Sequence, residues 1–336
     1  MLALAPILCY PLGEGNAMKL GFAVKILGQP GLKSNDTRRW QNNPHLSVSL
    51  AYLRDIFVYL RQIDVHMYRM SSDLAPYVTH PDLPQFHNQI AECVDELAAL
   101  GEVAKQDRLR LSFHPAAHIV LNSPDENVAH KSVADLDAQA QILDLMGLGP
   151  EAVVVLHVGG VYDDKRTAMD RFVQRHNALK ESTRQRLVLE NDERAYTIGD
   201  TFAIHQQTGI RLVFDQLHYL CNPTPGVPLI EALHTALSTW PEDQRPKIHY
   251  STPRTSMIVT DKQDASGRKT RDLREPRISQ HADLIDPFAF IDLLRSTLER
   301  DFDVMLECKA KDLALLRLRK HLNRLAPDLV THYQIA

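Results

Sequence analysis

Six side chains able to bind cations or move protons stand at the ends of short apolar runs. They are His114 in SFHP, His157 in VLHVGG, Glu190 in LVLEND, Asp215 in VFDQLH, His249 in KIHYS and Glu307 in VMLECK. With 16 His and 42 Asp plus Glu among 336 residues, about one position in six carries such a group, so six successive run ends exceed what composition supplies. Carboxylates gathered in a dry setting are costly unless something neutralises them. Divalent cations do so, and imidazole with carboxylate suits zinc or manganese. Three imidazoles and three carboxylates exceed the three protein ligands of one catalytic zinc, which points to a cluster of two or three ions. Glu190 and Asp215 are placed to bridge ions, and His218, three residues after Asp215, and His281 are candidates for a further one.

Each residue also has a plainer reading. A lone histidine at a strand end is more often a hydrogen-bonded structural group than a ligand, and it is the constellation that reverses this. His66, His176, His205 and His234 fall at strand starts or on helices and read as structural. Gly159-Gly160 suits a tight turn. Lys309, Lys311 and the Arg-rich 268–277 segment read as solvated charge, with phosphate contact as the alternative.

The elements that must position these groups follow from periodicity. β-branched runs predict strands at 19–25, 66–71, 109–114, 152–157, 187–190, 211–215, 246–250 and 302–307, each followed by a helical pattern. The clearest helices are 47–62, 85–105, 125–146, 285–299 and 312–322. Nearly continuous Val, Leu and Ile in strands that alternate with helices indicate a parallel sheet covered on its faces, and eight βα units are the count of a TIM (β/α)8 barrel. The fold class is therefore α/β, a single barrel domain over 18–322, with an N-terminal extension at 1–17 and a C-terminal tail at 323–336. The rival open sheet of dinucleotide-binding proteins lacks its GxGxxG after the first strand. Two stretches break the regularity: 26–46, rich in Gly, Asn and Pro, and 251–282, expected as a long polar loop of functional or mobile character.

Composition narrows the class further. A chain that is 44% hydrophobic and 24% charged is not a disordered one. A formal charge of −4 does not indicate a generally basic nucleic-acid binder, although a local basic face is compatible with it. Cys9, Cys93, Cys221 and Cys308 are far apart, form no CxxC pair and read as reduced thiols. With no signal peptide and no 18-residue apolar run, the expectation is a cytoplasmic protein without membrane association. No obligatory protein partner is expected.

The blocks LGFAVKIL, YRMSSDLAPYVTHP, LSFHP, VLNSP, LDLMGL, VLHVGGVYDDK, RLVLENDERAYT, LVFDQLHY, KIHYS and DVMLECKAKDLAL, in unbroken order from about Lys19 to Arg319, resemble the UV damage endonuclease family. The resemblance implies a TIM barrel related to endonuclease IV, carrying a cluster of divalent metals, usually manganese, with zinc or magnesium as alternatives. It implies incision of damaged double-stranded DNA on the 5′ side of ultraviolet photoproducts and at some abasic sites. By motif match the metal ligands fall on His114, His157, Glu190, Asp215, His218, His249, His281 and Glu307, and the catalytic groups on Glu190, Lys247 and Glu307. Lys247 matches a lysine that carries a carbamate in some members. Substrate contacts fall on Phe22, Ala117, His118, Asn191 and Tyr250.

The departures are informative too. The family pattern has HPGQ followed by Tyr or Phe, where Gln and the aromatic ring wedge into the duplex; here the run is His114-Pro115-Ala116-Ala117-His118. The Tyr and Asn of the family's first strand appear as Phe22 and Ile26. The leading expectation is metal-dependent phosphodiester hydrolysis with altered lesion reading. A sugar-isomerase-like metalloenzyme and a non-catalytic binder of damaged nucleic acid are the competing readings.

Overall fold

The alternation of inward and outward positions along very short strands decides where each site residue goes. The computed structural model describes residues 17–162, 164–263 and 269–335, so the extension expected at 1–17 lies, apart from Ala17, outside the described residues. In chain order the strands are β1 (Leu20–Ala23), β2 (Met67–Arg69), β3 (Arg110–Phe113), β4 (Val153–His157), β5 (Leu187–Glu190), β6 (Arg211–Asp215), β7 (Lys247–Tyr250), β8 (Ile258–Gln263), β9 (Lys269–Arg274) and β10 (Asp303–Leu306). Eight of them close into a barrel in the order β1-β10-β7-β6-β5-β4-β3-β2, with every neighbouring pair parallel. Helices cover the outside, among them Leu46–Gln62, Val94–Gln106, Glu126–Leu145, Lys165–Ala178, Ile198–Thr208, Leu229–Leu237, Pro287–Arg295 and Lys311–Leu325. The expected (β/α)8 barrel is the observed fold.

Side chains alternate faces along a strand. Gly21, Ala23, Met67, Val153, Val155, Val188 and Val213 face inward, and Ala23, Met67 and Met305 pack together as one interior cluster. Continuing the same parity brings Arg69, His114, His157, Glu190, Asp215, His249 and Glu307 to the inside at the carboxyl ends of their strands. Gly21 has to be small, because a Cβ there would lie 2.7 Å from the Met67 side chain and 2.8 Å from its carbonyl oxygen across the β1–β2 seam.

The opposite end of the barrel is plugged. Trp240 donates its indole N–H to the Leu212 carbonyl at 2.7 Å, with the Arg211 and Arg110 guanidiniums 4.8 and 5.5 Å from its ring centroid. Asp303 balances that charge, accepting from Arg110 at 2.7 Å and lying 2.9 Å from Arg245. Asp312 ties the crossover after β1 to the last barrel helix, accepting from the backbone N–H groups of Leu27 and Gly28 and from the Tyr59 hydroxyl, all at 2.8 Å.

Local expectations were revised in three places. The 251–282 stretch is not a structureless loop, because β8 and β9 form an antiparallel ribbon that stands apart from the barrel sheet. Its base is closed by a bridge between Pro253 and His281 and by the Arg254 N–H to the Gln280 carbonyl at 2.7 Å. The helix expected over 85–105 divides at Cys93 into Gln89–Glu92 and Val94–Gln106. The last helix runs to Leu325 and is followed by Pro327–Tyr333, whose Tyr333 is buried and donates to the Leu294 carbonyl at 3.0 Å. Cys93, Cys221 and Cys308 are free thiols, while Cys9 lies outside the described residues. No described helix is long and apolar enough to cross a membrane.

Candidate metal centre

Glu190 is the hub of the barrel mouth. Its carboxylate is fully buried at the end of β5, with Oε2 3.0 Å from His114 Nε2 and 3.7 Å from His157 Nε2, and Oε1 2.9 Å from His249 Nδ1 and 3.4 Å from His218 Nδ1. Three triads of potential ligands share it: His114 with His157, Asp215 with His218, and His249 with Glu307. The imidazoles crowd one another, with ring centroids 5.2 Å apart for His114 and His157 and 5.5 Å for His157 and His218.

The second nitrogen of each ring shows what the first is free to do. His114 Nδ1 meets the Pro115 carbonyl at 3.1 Å and His218 Nδ1 the Asn191 carbonyl at 3.0 Å. A proton held on His114 Nδ1 by its carbonyl leaves Nε2 as a lone-pair donor, the usual arrangement around a ligating histidine, whereas His218 turns its Nδ1 toward Glu190 Oε1 at 3.4 Å and Asp215 Oδ1 at 3.8 Å. Asp215 caps the short helix Gln216–Cys221 with one oxygen, accepting from His218 N–H at 2.7 Å, while its other oxygen is buried without a partner. An orphaned carboxylate oxygen beside a shared one fits a divalent cation, and the His/Asp/Glu donor set suits zinc or manganese.

The buried groups shift one another's titration. Burial alone would raise the Glu190 carboxyl, but His249, His157 and His114 hold it well below the usual carboxylate range. Burial pushes Asp215 up to about 8, helped by the negative charges of Glu190 and Glu307. Burial lowers His249 to about 4, keeping its ring neutral. His218 moves the other way, up to about 11, because Asp215 and Glu190 outweigh its burial.

His281 sits at the edge of this group. Its Nδ1 meets the Glu307 carbonyl and lies 3.9 Å from Glu307 Oε2, and it belongs to none of the three triads. Lys247 lies inside the barrel two residues before His249, fully buried, with an Nζ that has no hydrogen-bond partner. Burial, reinforced by Arg69 and Arg110, lowers its pKa well below that of an ordinary lysine.

Three of the residues expected to contact substrate lie in packed surroundings. Phe22 and Tyr250 occupy outward positions of β1 and β7 and pack edge-on against Tyr68 and Phe290 at 5.5 and 4.9 Å. Asn191 is buried and spends its side chain on the β6 backbone, accepting from Asp215 N–H at 2.9 Å and donating to the Asp215 carbonyl at 3.1 Å. Ala117 and His118 are exposed on the loop after β3. There a cavity of about 230 Å³ opens beside His114 and His157, walled by Ala116, Ala117, Gly159 and Arg194.

Sequence reasoning missed Arg69. Its guanidinium lies 2.9 Å from His249 Nε2 and pairs with Glu307 Oε1, fixing both side chains. The available signal was a charged residue at an inward position of an otherwise apolar strand.

The family model for UV-endonuclease UvdE matches residues 37–331. The chain belongs to this family. The UV DNA damage endonuclease of Bacillus velezensis is 32% identical over 284 residues, covering 83% of this chain and 82% of that protein. That of Bacillus pumilus is 32% identical over 263 residues, covering 77% of this chain and 76% of its own. The crystal structure of SacUVDE superposes with a TM-score of 0.77 at 28% identity, over 92% of this chain and 99% of that one. A 3-keto-D-glucoside 4-epimerase from E. coli shares only the fold, with a TM-score of 0.54 at 12% identity over 92% of this chain and 99% of that one.

Proposed function

We propose that the protein is a metal-dependent DNA-repair endonuclease that hydrolyses a phosphodiester on the 5′ side of a damaged nucleotide, an ultraviolet photoproduct or an abasic site. The observation that carries this is Glu190, one buried carboxylate shared by three potential ligand triads in a UvdE-family barrel. His114, His157, Glu190, Asp215, His218, His249 and Glu307 would hold two or three divalent cations, most simply manganese, with His281 beside them. Bound there, the cations supply an activated water nucleophile and offset charge building on the scissile phosphate.

The chain's own groups do the rest. Glu190 is ionised and shared, so it holds the ligand set together. Arg69 positions Glu307 and His249. Lys247 offers a buried amine without a hydrogen-bond partner; in its unprotonated form it would add to carbon dioxide with loss of a proton, giving a carbamate that would bring a further anionic donor to the mouth. Lys269, Arg271 and Arg274 on the ribbon are exposed beside the mouth and suit contact with flanking phosphates, which makes binding salt-dependent.

An end-labelled nicking assay on irradiated, abasic and undamaged duplexes, run with manganese and with chelator, tests the reading. Nicking of a damaged strand that chelator abolishes is the expected result. Equal nicking with chelator, or none on any duplex, overturns it.

A further inference from the structure

A cavity of about 510 Å³ opens at the plugged end of the barrel, where the chain enters its strands. Leu187 and Arg211 line it from the starts of β5 and β6, Pro150 from the turn before β4, and Gln244 from the approach to β7. Its volume lies in the range of small-ligand sites. Among the described residues no Asp or Glu lines it, while His176, Arg184 and Arg211 do. A recess whose ionisable lining is all basic is unexpected in a chain of net charge −4.

Two buried groups in this wall lack the partner that burial demands. Arg211 is 9% exposed, and its guanidinium donates to three neutral oxygens, the Pro150 carbonyl at 2.9 Å, the Gln185 carbonyl at 2.5 Å and Gln244 Oε1 at 2.6 Å. It forms no ion pair among the described residues, since Asp303 is taken by Arg110 and Arg245. Burial, with Arg110 and Arg186 acting in the same direction, pushes its pKa down to about 10, so it keeps its charge at neutral pH. Buried charge is ordinarily paired. Three bonds leave two of the five guanidinium N–H groups for a ligand.

His176 is 1% exposed, its Nδ1 meets Asn177 Oδ1 at 3.3 Å, and its Nε2 is buried with no partner. With the proton on Nδ1, Nε2 is a bare acceptor that requires a donor from the ligand. Arg184 stands at the rim on the short helix Glu181–Arg186, paired with the exposed Glu181. The wall therefore asks for negative charge and one hydroxyl together. Carboxylate and sulfate bring charge without a proton at neutral pH.

We propose that this cavity binds a phosphate that keeps one proton, with Arg211 and Arg184 toward its charged oxygens and His176 Nε2 accepting from its remaining hydroxyl. Phosphate esters lose most of that proton by neutral pH, so the free anion is the favoured occupant. The site is independent of the endonuclease reading and lies at the other end of the barrel from Glu190.

The test is calorimetric titration of the manganese-loaded full chain with inorganic phosphate, glycerol phosphate and sulfate at equal ionic strength. A repeat in chelator identifies anion held by cations at the mouth as the component that chelator removes. The expected result is one phosphate per chain that persists in chelator, bound at least tenfold more tightly than sulfate, with a higher urea midpoint in phosphate than in sulfate. Arg211→Met and His176→Phe should each weaken it at least tenfold, and His176→Phe should also erase the preference over sulfate. Glu181→Gln frees Arg184 and should tighten phosphate at least threefold, a direction that loss of structure does not produce. If Arg211→Met does not fold, the other two variants decide. Glycerol phosphate binding more weakly than the free anion supports the favoured occupant, and tighter binding keeps the site and makes the ester its occupant. No phosphate bound in chelator, equal affinity for sulfate in the wild type, or wild-type affinity in the folded variants overturns the assignment.

Discussion

His249 reaches across the barrel from β7 to place Nδ1 2.9 Å from Oε1 of Glu190 on β5, a strand to which β7 is not hydrogen-bonded. The contact is made through the mouth rather than along the sheet, so it depends on barrel closure. Glu190→Gln keeps the shape and removes the shared charge. The variant should remain folded, lose more than one bound ion per protein by elemental analysis, and lose at least about a thousandfold in nicking if the cations activate the nucleophile. A full metal complement in Glu190→Gln would contradict the three-triad arrangement.

Three carboxylates in one dry mouth repel one another, so a cation bound there would stabilise the folded chain. A cation that binds only the folded chain stabilises it by about 2.7 kcal/mol at a hundredfold excess over its Kd. Chelation should therefore lower the denaturant midpoint, and manganese should restore it in a concentration-dependent way. A midpoint indifferent to both would show that the mouth holds no cation.

Arg69 pairs with Glu307 and His249 from a position that is 8% exposed. Replacing it with Met removes the guanidinium from the largely covered Glu307 carboxylate and leaves it only His249 nearby, and breaking a buried pair costs about 3–5 kcal/mol. Arg69→Met should lower stability by that order in chelator, measured by urea unfolding, and should lose less when manganese supplies positive charge at Glu307. An equal loss in both conditions would place Arg69 outside the metal-linked network.

The readable part of this site follows from the physics of parallel strands. Buried on both faces, β4 to β6 run as VVVL, LVL and RLVF, so a His, Glu or Asp closing such a run stands out. Partners distant in sequence do not. Nothing around Arg69 announces an ion pair 238 residues away with Glu307. Phe22 and Tyr250 were expected at the substrate from the family resemblance alone, which carries no information on which face of a four-residue strand each occupies. Counting from Glu190 and His249, which must face inward, would have turned Tyr250 outward. The β8–β9 ribbon escaped notice because half its residues are charged and two of its apolar members, Val259 and Leu273, are exposed.

The two ends of the barrel should separate experimentally. Asp303 neutralises Arg110 and Arg245 at the plugged end and accepts the Lys19 backbone N–H at 2.9 Å. Asp303→Ala leaves buried guanidinium charge uncompensated, so unfolding should become easier by about 3–5 kcal/mol. Metal content should stay at the wild-type level, since active groups of such barrels gather at the carboxyl ends of the strands. Loss of bound metal from a folded Asp303→Ala protein would contradict that separation.

His176 gives a pH dependence away from the candidate metal ligands. Its ring stacks on Phe172 with centroids 6.2 Å apart and planes inclined by 13°, it is 1% exposed, and its Nε2 has no partner. Burial lowers its pKa from the ordinary 6.5, with Arg184 acting in the same direction and the bond to Asn177 opposing. The unfolded chain therefore takes up a proton at a pH where the folded chain does not. The stability linked to this group is complete above the unfolded value and is lost as pH falls through the lower folded value. His176→Leu removes the titration and keeps an apolar side chain on Phe172. Between about pH 7.5 and pH 5.5 the urea midpoint of the wild type should fall more steeply than that of His176→Leu, the difference cancelling what the site histidines contribute to both. Parallel profiles would mean that His176 titrates alike in the folded and unfolded chains, and that its burial carries no cost to the protonated ring.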